Sequence, residues 1–314
     1  MLITWQESGL PTHFAGGNQG NLFLNPSSSP VAATVYKKYF DPDAVNPAGA
    51  MALILWAAAL NGSEQAKLQS GTTWPIQFNL LNNQIVGSWM ELLPNSFFRN
   101  GNGSGGVLDF EILQAPSPEL PNRIGQISSA DRQQIILQYL EIVAFLHERG
   151  VVIGDIGWSN AVWSYPDLNV KLIDCDSMRI RGSAPAAPQG NSAGYELPPS
   201  FPMKPPSGQG IPETDLLKLG RFVVRTVTGM TDIITSKSTL SQCKNRLTEF
   251  GAELGMGAGW GLRAARLFIR SQDLSGREKG GQPSASEWLA LISGQKNFYE
   301  IRPEPRSGRK SYEL

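Results

Sequence analysis

The chain has 314 residues, 41% hydrophobic and 17% charged, with 27 Lys and Arg balanced by 27 Asp and Glu. That composition supports one large or two small domains with a sizeable core and excludes wholesale disorder. A net charge of zero argues against nucleic acid or an anionic membrane surface as partner.

Two cysteines, Cys175 and Cys243, make neither a disulfide framework nor a zinc quartet. Met1 to Pro11 carries Glu7 and no apolar signal core. The longest apolar run, Met51–Leu60, is about half of the ~20 residues that a bilayer requires. The expectation is a soluble, cytoplasmic protein with no membrane span.

Through residue 92, short apolar runs alternate with Gly, Asn, Ser and Pro. Leu22–Leu24, Val31–Phe40, Ile76–Leu81 and Ile85–Leu92 read as strands, with one helix, Ala48–Leu60, among them. Asn100–Gly106 (NGNGSGG) is a low-complexity loop and the natural boundary between two lobes. From Ser128 the period becomes 3.6. Ser128 and Asp131 resemble a capping box, Ile135, Ile136, Tyr139, Leu140, Val143 and Leu146 share a face, and Gly150 closes the helix. Val151–Ile153, Ala161–Trp163 and Val170–Ile173 read as short strands. A loop rich in proline and glycine covers 182–212, and helices return near 214–228, 238–254, 260–271 and 284–293. The reading is α+β, with a β-rich unit carrying one helix at 1–92, a larger mainly helical unit at 93–295 (93–127 forming the connection), and a mobile tail at 296–314.

Four segments carry chemistry. Ala15–Leu22 (AGGNQGNL) holds Gly16, Gly17 and Gly20, whose missing β-carbons allow a backbone turn close to phosphates; an ordinary hairpin turn fits the same residues. It is no dinucleotide fingerprint, because no helix follows the third glycine. Lys37 lies 17 residues beyond Gly20 and shares strand parity with Val35 and Val31. An inward lysine there needs an anionic partner such as a nucleotide phosphate, whereas a surface pair with Lys38 needs none. Asp155 and Asn160 are five apart on one loop, a spacing that sets a carboxylate at a hydroxyl nucleophile and an amide at a metal. Asp174 ends an apolar strand, where a carboxylate can hold Mg²⁺ through oxygen. Asp and Asn are also common in turns; it is the order and spacing of all four segments that give the pattern weight.

In that order the four segments resemble the protein kinase-like superfamily, over residues 8–293. The resemblance implies a bilobal kinase-like fold binding ATP and Mg²⁺, with Mn²⁺ as an alternative metal. Ala15–Leu22 would be the Gly-rich loop, with Ala15 for its first glycine, and Leu22 and Val35 would sit beside the nucleotide. Lys37 would bind the α- and β-phosphates, with Met90, Glu91 and Leu92 as hinge and Val162 as adenine floor. Asp155 matches the catalytic aspartate, Asn160 the metal-binding asparagine and Asp174 the Mg²⁺ aspartate. Pro198-Pro199-Ser200 stands where the activation segment closes, and Asp215–Gly220 keeps the spacing of the central helix. A narrower resemblance is to bacterial kinase-like proteins of the helix-hairpin-helix and tellurium-resistance-associated type, through Asp174–Ser177, Trp74-Pro75, Val86–Met90 and Pro283–Leu289.

The sequence also departs from the pattern. No acidic residue lies between Asp43 and Glu64, so the helix at 48–60 offers no partner for Lys37. Ile153-Gly154 replaces His-Arg before Asp155, which removes a site for a phosphorylated activation loop. Asp174-Cys175-Asp176 replaces Asp-Phe-Gly, with Asp176 as a possible added metal ligand. Ser200 and Gln282 neutralise both ends of a family ion pair together. His147, Cys243 and the tryptophans read as structural, and Arg263, Arg266 and Arg270 as a solvated helix face.

The expected function is an ATP- and Mg²⁺-dependent phosphotransferase acting on protein Ser/Thr hydroxyls, its partners a protein substrate or a regulatory protein, with no oligomeric state specified. Two alternatives stay open: a pseudokinase, supported by the missing helix glutamate, and a small-molecule kinase, disfavoured by the Pro-Pro-closed segment.

Overall fold

The computed structural model describes residues 2–3, 13–16, 19–24, 34–114, 123–198, 201, 209–230, 237–257, 259–273 and 281–295. Gly17, Val31, Pro199, Ser200 and the tail at 296–314 lie outside the described residues. The fold is mixed α+β.

In chain order come β1 (Leu2–Ile3), β2 (His13–Gly16), β3 (Gly20–Leu24) and β4 (Thr34–Tyr39), then α1 (Pro47–Ala59), α2 (Gly62–Gly71), β5 (Gln77–Leu81) and β6 (Gln84–Glu91). The strands form one sheet in the order β1-β5-β6-β4-β3-β2, antiparallel except for β1 against β5. Gly20 stands opposite Tyr39, and a β-carbon on it would run into the Lys38 carbonyl. Tyr36 and Trp89, both fully buried, pack at 4.7 Å between ring centroids inside the sheet.

The expectation of one helix in this region is corrected to two. Asn46 caps α1 by accepting from Gly49 N–H, with Pro47 at the first position. Leu60 then takes an extended conformation, and Asn61 and Glu64 form a capping box that starts α2. α2 packs on α4 and β9 and has little apolar periodicity of its own, so tertiary contacts rather than amphipathicity hold it.

The remainder comprises α3 (Glu111–Gln114), α4 (Ser129–Glu148), β7 (Val151–Val152), β8 (Ala161–Trp163), β9 (Val170–Leu172), β10 (Arg179–Ile180), α5 (Pro212–Thr228), α6 (Lys237–Glu253), α7 (Trp260–Gln272) and α8 (Ala285–Ile292). β7 pairs with β10 and β8 with β9, each antiparallel. Asn100–Gly106 closes a tight loop, with Phe98 bridging Val107 and Arg99 N–H donating to Gly106 O. The Ser128–Asp131 capping box starts α4, and Gly150, at φ +76°, ends it. Tyr139 of α4 stacks on Phe222 of α5 at 4.0 Å, with Phe110 against both. Each aromatic pair adds about 0.5–1.5 kcal/mol beyond its area burial, so this cluster fixes α5 beneath the 153–160 loop. Among the described residues no helix is long and apolar enough to cross a membrane.

Candidate active site

Strand parity turns Lys37 inward. Its residue is 3% exposed, whereas Lys38 is half-buried. The ammonium donates to Asp176 Oδ1 at 3.0 Å, to Gln19 Oε1 at 3.1 Å and to Asp174 Oδ1 at 3.2 Å. Tyr39, two residues on and facing the same way, donates its hydroxyl to Asp176 Oδ2 at 2.7 Å. Burial by itself lowers the lysine pKa, but the two carboxylates outweigh it and hold the ammonium above its ordinary range. Burial, then Asp176, pushes the Tyr39 phenol up as well.

This arrangement corrects the reading of Asp176 as a metal ligand. Its side chain is fully covered, with one oxygen on Lys37 and the other on Tyr39. Asp174 differs, its side chain being 47% exposed. Glu64 is no substitute partner for Lys37, since it sits in the first turn of α2 and pairs with Arg149 at 2.5 Å. The anion that α1 lacks is supplied from two residues beyond Asp174.

The 153–160 loop is held from below by the first turns of α5. Asp215, fully buried, accepts from Ile153 N–H at 2.7 Å and Gly154 N–H at 2.8 Å, with His147 Nε2 at 3.2 Å. Lys218 donates to Gly154 O at 2.5 Å; its burial lowers its pKa, and Asp155 and Asp215 oppose the shift. Gly154, the residue before Asp155, is therefore gripped through both its N–H and its carbonyl. Gly154 has φ +78°, and a β-carbon there would collide with the Gln189 amide, which itself bonds Val152 O, Ile153 O and Gly210 N–H. That close approach explains glycine at a position where the resemblance implies arginine.

Asn160 Nδ2 donates to Asp155 O at 2.9 Å, closing the loop on itself. Asp155, Asn160 and Asp174 line a common recess with Gly157 and Ser177. Asp174 has φ +55°, the left-handed region that Asp tolerates better than most side chains, and Ser177 donates to its carbonyl at 2.9 Å. Asp155 Oδ1 accepts from both the backbone N–H and the hydroxyl of Ser192, at 2.8 and 3.1 Å.

Other residues singled out in the sequence stand as follows. Gly16 is exposed on the β2–β3 hairpin and Leu22 faces Lys37 across the β3–β4 ladder. Val35 pairs with Met90, both nearly covered. Glu91 pairs with Lys171 at 2.8 Å, and Leu92 is half-buried. Val162, on β8 opposite Lys171, has no exposed surface and packs as core. His147 and Cys243 are structural, and Arg270 pairs with Glu287 at 2.6 Å rather than lying on a free face.

Sequence reading missed Gln19, which joins Lys37 to Pro188 O at 2.7 Å, and also Gln189, Ser192 and Lys218. None belongs to a spacing motif. Only the second carboxylate at 176 left a trace in the sequence. Neither a protein-family model nor any curated protein matches the chain.

Proposed function

We propose that the chain is an ATP- and Mg²⁺-dependent phosphotransferase of bilobal, protein-kinase-like architecture, acting on Ser/Thr hydroxyls of protein. One observation carries the reading: Lys37 is buried on a strand against Asp174, and Asp174 lines one recess with Asp155 and Asn160. A buried ammonium and a separate cluster of acceptors on facing loops suit a substrate that brings its own negative charge.

Mg²⁺ fits the donors present. Among the described residues no trio of His, Cys, Asp or Glu forms a metal cage, but Mg²⁺ is held by one or two oxygens plus substrate phosphates and water. Asp174 and Asn160 supply a half-exposed carboxylate and an amide oxygen. The metal would neutralise phosphate charge there. Asp155 accepts the acceptor hydroxyl's proton, the α5 grip fixes its direction, and Lys37 holds the phosphates. Phosphoryl transfer draws chiefly on such positioning and electrostatics. The missing helix glutamate does not stand against activity, because Asp176 already gives Lys37 a buried counter-ion.

The test is a thermal-shift titration with ATP, with and without Mg²⁺ or Mn²⁺, followed by a transfer assay. Binding only to the native state raises Tm by mass action. Metal-dependent stabilisation with transfer that Asp155→Asn abolishes supports the reading. Stabilisation without transfer in the wild type would instead favour a nucleotide-binding pseudokinase.

A further inference from the structure

Resting on that proposed activity, we infer that Arg221 and Arg225 of α5 bind an acidic side chain of the protein substrate, two or three residues from its acceptor hydroxyl. The two arginines are four positions apart on one helix, so their charges repel. Arg225 is 7% exposed and Arg221 is half-buried. Among the described residues neither forms an ion pair with a carboxylate. A covered charge without a counter-ion is costly, and a like charge beside it raises that cost. Burial, and then Arg225, holds the Arg221 guanidinium below its ordinary range. Asp215, the one carboxylate between residues 215 and 225, is already committed to Ile153, Gly154 and His147.

Both side chains are held in place. The Arg225 guanidinium lies over the Tyr195 ring at 4.8 Å, and Tyr195, fully buried, donates its hydroxyl to Gln114 Oε1 at 3.0 Å. Gly194 makes room for that guanidinium, since a β-carbon there would come 2.7 Å from both Nη atoms. Arg221 donates from Nε to Gln272 Oε1 at 2.9 Å and from Nη1 to Glu196 O at 2.7 Å. The Glu196 carboxylate, exposed and within the field of both arginines, accepts from Gly194 N–H at 3.0 Å instead. A carboxylate brought from outside therefore meets two oriented, planar cations, which suit bidentate pairing.

Their place along the chain sets the spacing. Ser192 bonds Asp155, Tyr195 N–H folds back to Ser192 O at 3.0 Å, and Gly194 and Tyr195 lie against Arg225. The guanidinium thus stands two or three residues along this segment from the proposed base, at most about 7–11 Å of extended chain. A substrate peptide with its hydroxyl at Asp155 spans that distance with the same number of residues. A lysine in that position would add another like charge, so the pair also selects against basic substrates.

The test measures transfer and binding on one peptide set: a serine among alanines, with Glu, Gln or Lys placed in turn at each position up to four residues on either side. With ATP and Mg²⁺, Glu two or three residues from the serine should raise kcat/KM about tenfold or more over Gln, through KM, and Lys should lower it. Fluorescence anisotropy of the labelled peptides, without nucleotide, should give the same order, the Glu advantage shrinking as salt rises. R225Q should bring the Glu-to-Gln ratio close to one in both assays, and R225K should restore part of it. Should R225Q fail to unfold cooperatively, R221Q, at a less covered position, supplies the reading as a partial loss of the ratio. A flat peptide profile, or a Glu preference that survives both R225Q and R221Q, overturns acidic selection and leaves the kinase reading standing. No transfer to any peptide overturns the kinase reading, and the anisotropy order then decides the arginine site by itself.

Discussion

On the sheet side of the recess, Lys37 is held by carboxylates that arrive from 137 and 139 residues further along the chain. On the helical side, Asp155 is held through its neighbours' peptide groups, by Asp215 and Lys218 on the first turns of a single helix. The first arrangement is charge against charge in a covered space, and the second is hydrogen bonding of backbone by a helix that is itself locked by aromatic packing. Removing an acceptor therefore has different consequences on the two sides. On one it strands an ammonium; on the other it leaves peptide N–H groups unpaired.

The largest effect is expected at Asp176. Asp176→Ala leaves the buried Lys37 ammonium without its covered partner and the Tyr39 hydroxyl without an acceptor. Breaking a buried pair in this way costs about 3–5 kcal/mol. The half-exposed Asp174 should behave otherwise, with Asp174→Asn changing stability by less than about 1 kcal/mol while removing metal-dependent ATP binding. Urea unfolding of the two variants side by side checks this. Equal losses would show that the two carboxylates share one role.

On the helical side, Asp215→Ala leaves the Ile153 and Gly154 N–H groups buried without partners. Unsatisfied buried donors cost about 1–3 kcal/mol each, so a loss of ~3 kcal/mol is expected by urea unfolding. Lys37 lies outside that network, so ATP-induced stabilisation should weaken less in this variant than transfer does.

A smaller effect, and of opposite sign, concerns Asp109, close to this side. Burial pushes its pKa up to about 6, with Arg99 opposing at 3.9 Å. A raised carboxylate pKa means that the folded protein keeps a proton the unfolded chain has released between about pH 4 and 6, so stability falls as pH rises through that window. Asp109→Asn should remove the penalty and raise stability by about 1–3 kcal/mol at pH 7–8, the gain vanishing near pH 4. Thermal melts across that range measure it. The smallest effect belongs to the strand register: Lys38→Ala should leave ATP binding almost unchanged, whereas Lys37→Ala abolishes it.

Periodicity made the long elements legible. The helix from Ser128 to Gly150 carries both its cap and its apolar face in the sequence, and Lys37 could be turned inward from parity with Val35 alone. The second helix escapes periodicity because Gly62–Gly71 has almost no apolar face; the Asn61-x-x-Glu64 capping box is its one local signal. The pairing of Asp176 with Lys37 and the contacts of Gln19 and Ser192 were out of reach for a different reason. They depend on which loops meet across more than a hundred residues, or on the path of a 30-residue segment without periodicity. Gly154 and Gly157 show the same limit, since each is glycine for a neighbour's side chain that no local rule names.

The short turn Cys175–Ser177 places the lysine's permanent counter-charge two positions from the exposed Asp174. Both carboxylates ride on that one hydrogen-bonded turn. α1, rich in alanine and bearing no acidic residue, is thereby freed of chemical duty. It packs instead on the 184–186 stretch, where Asn46 N–H donates to Ala186 O at 2.7 Å and Gly49 leaves no room for a β-carbon. A displacement of α1 would therefore reach the lysine only by way of the 174–192 stretch on which the helix rests.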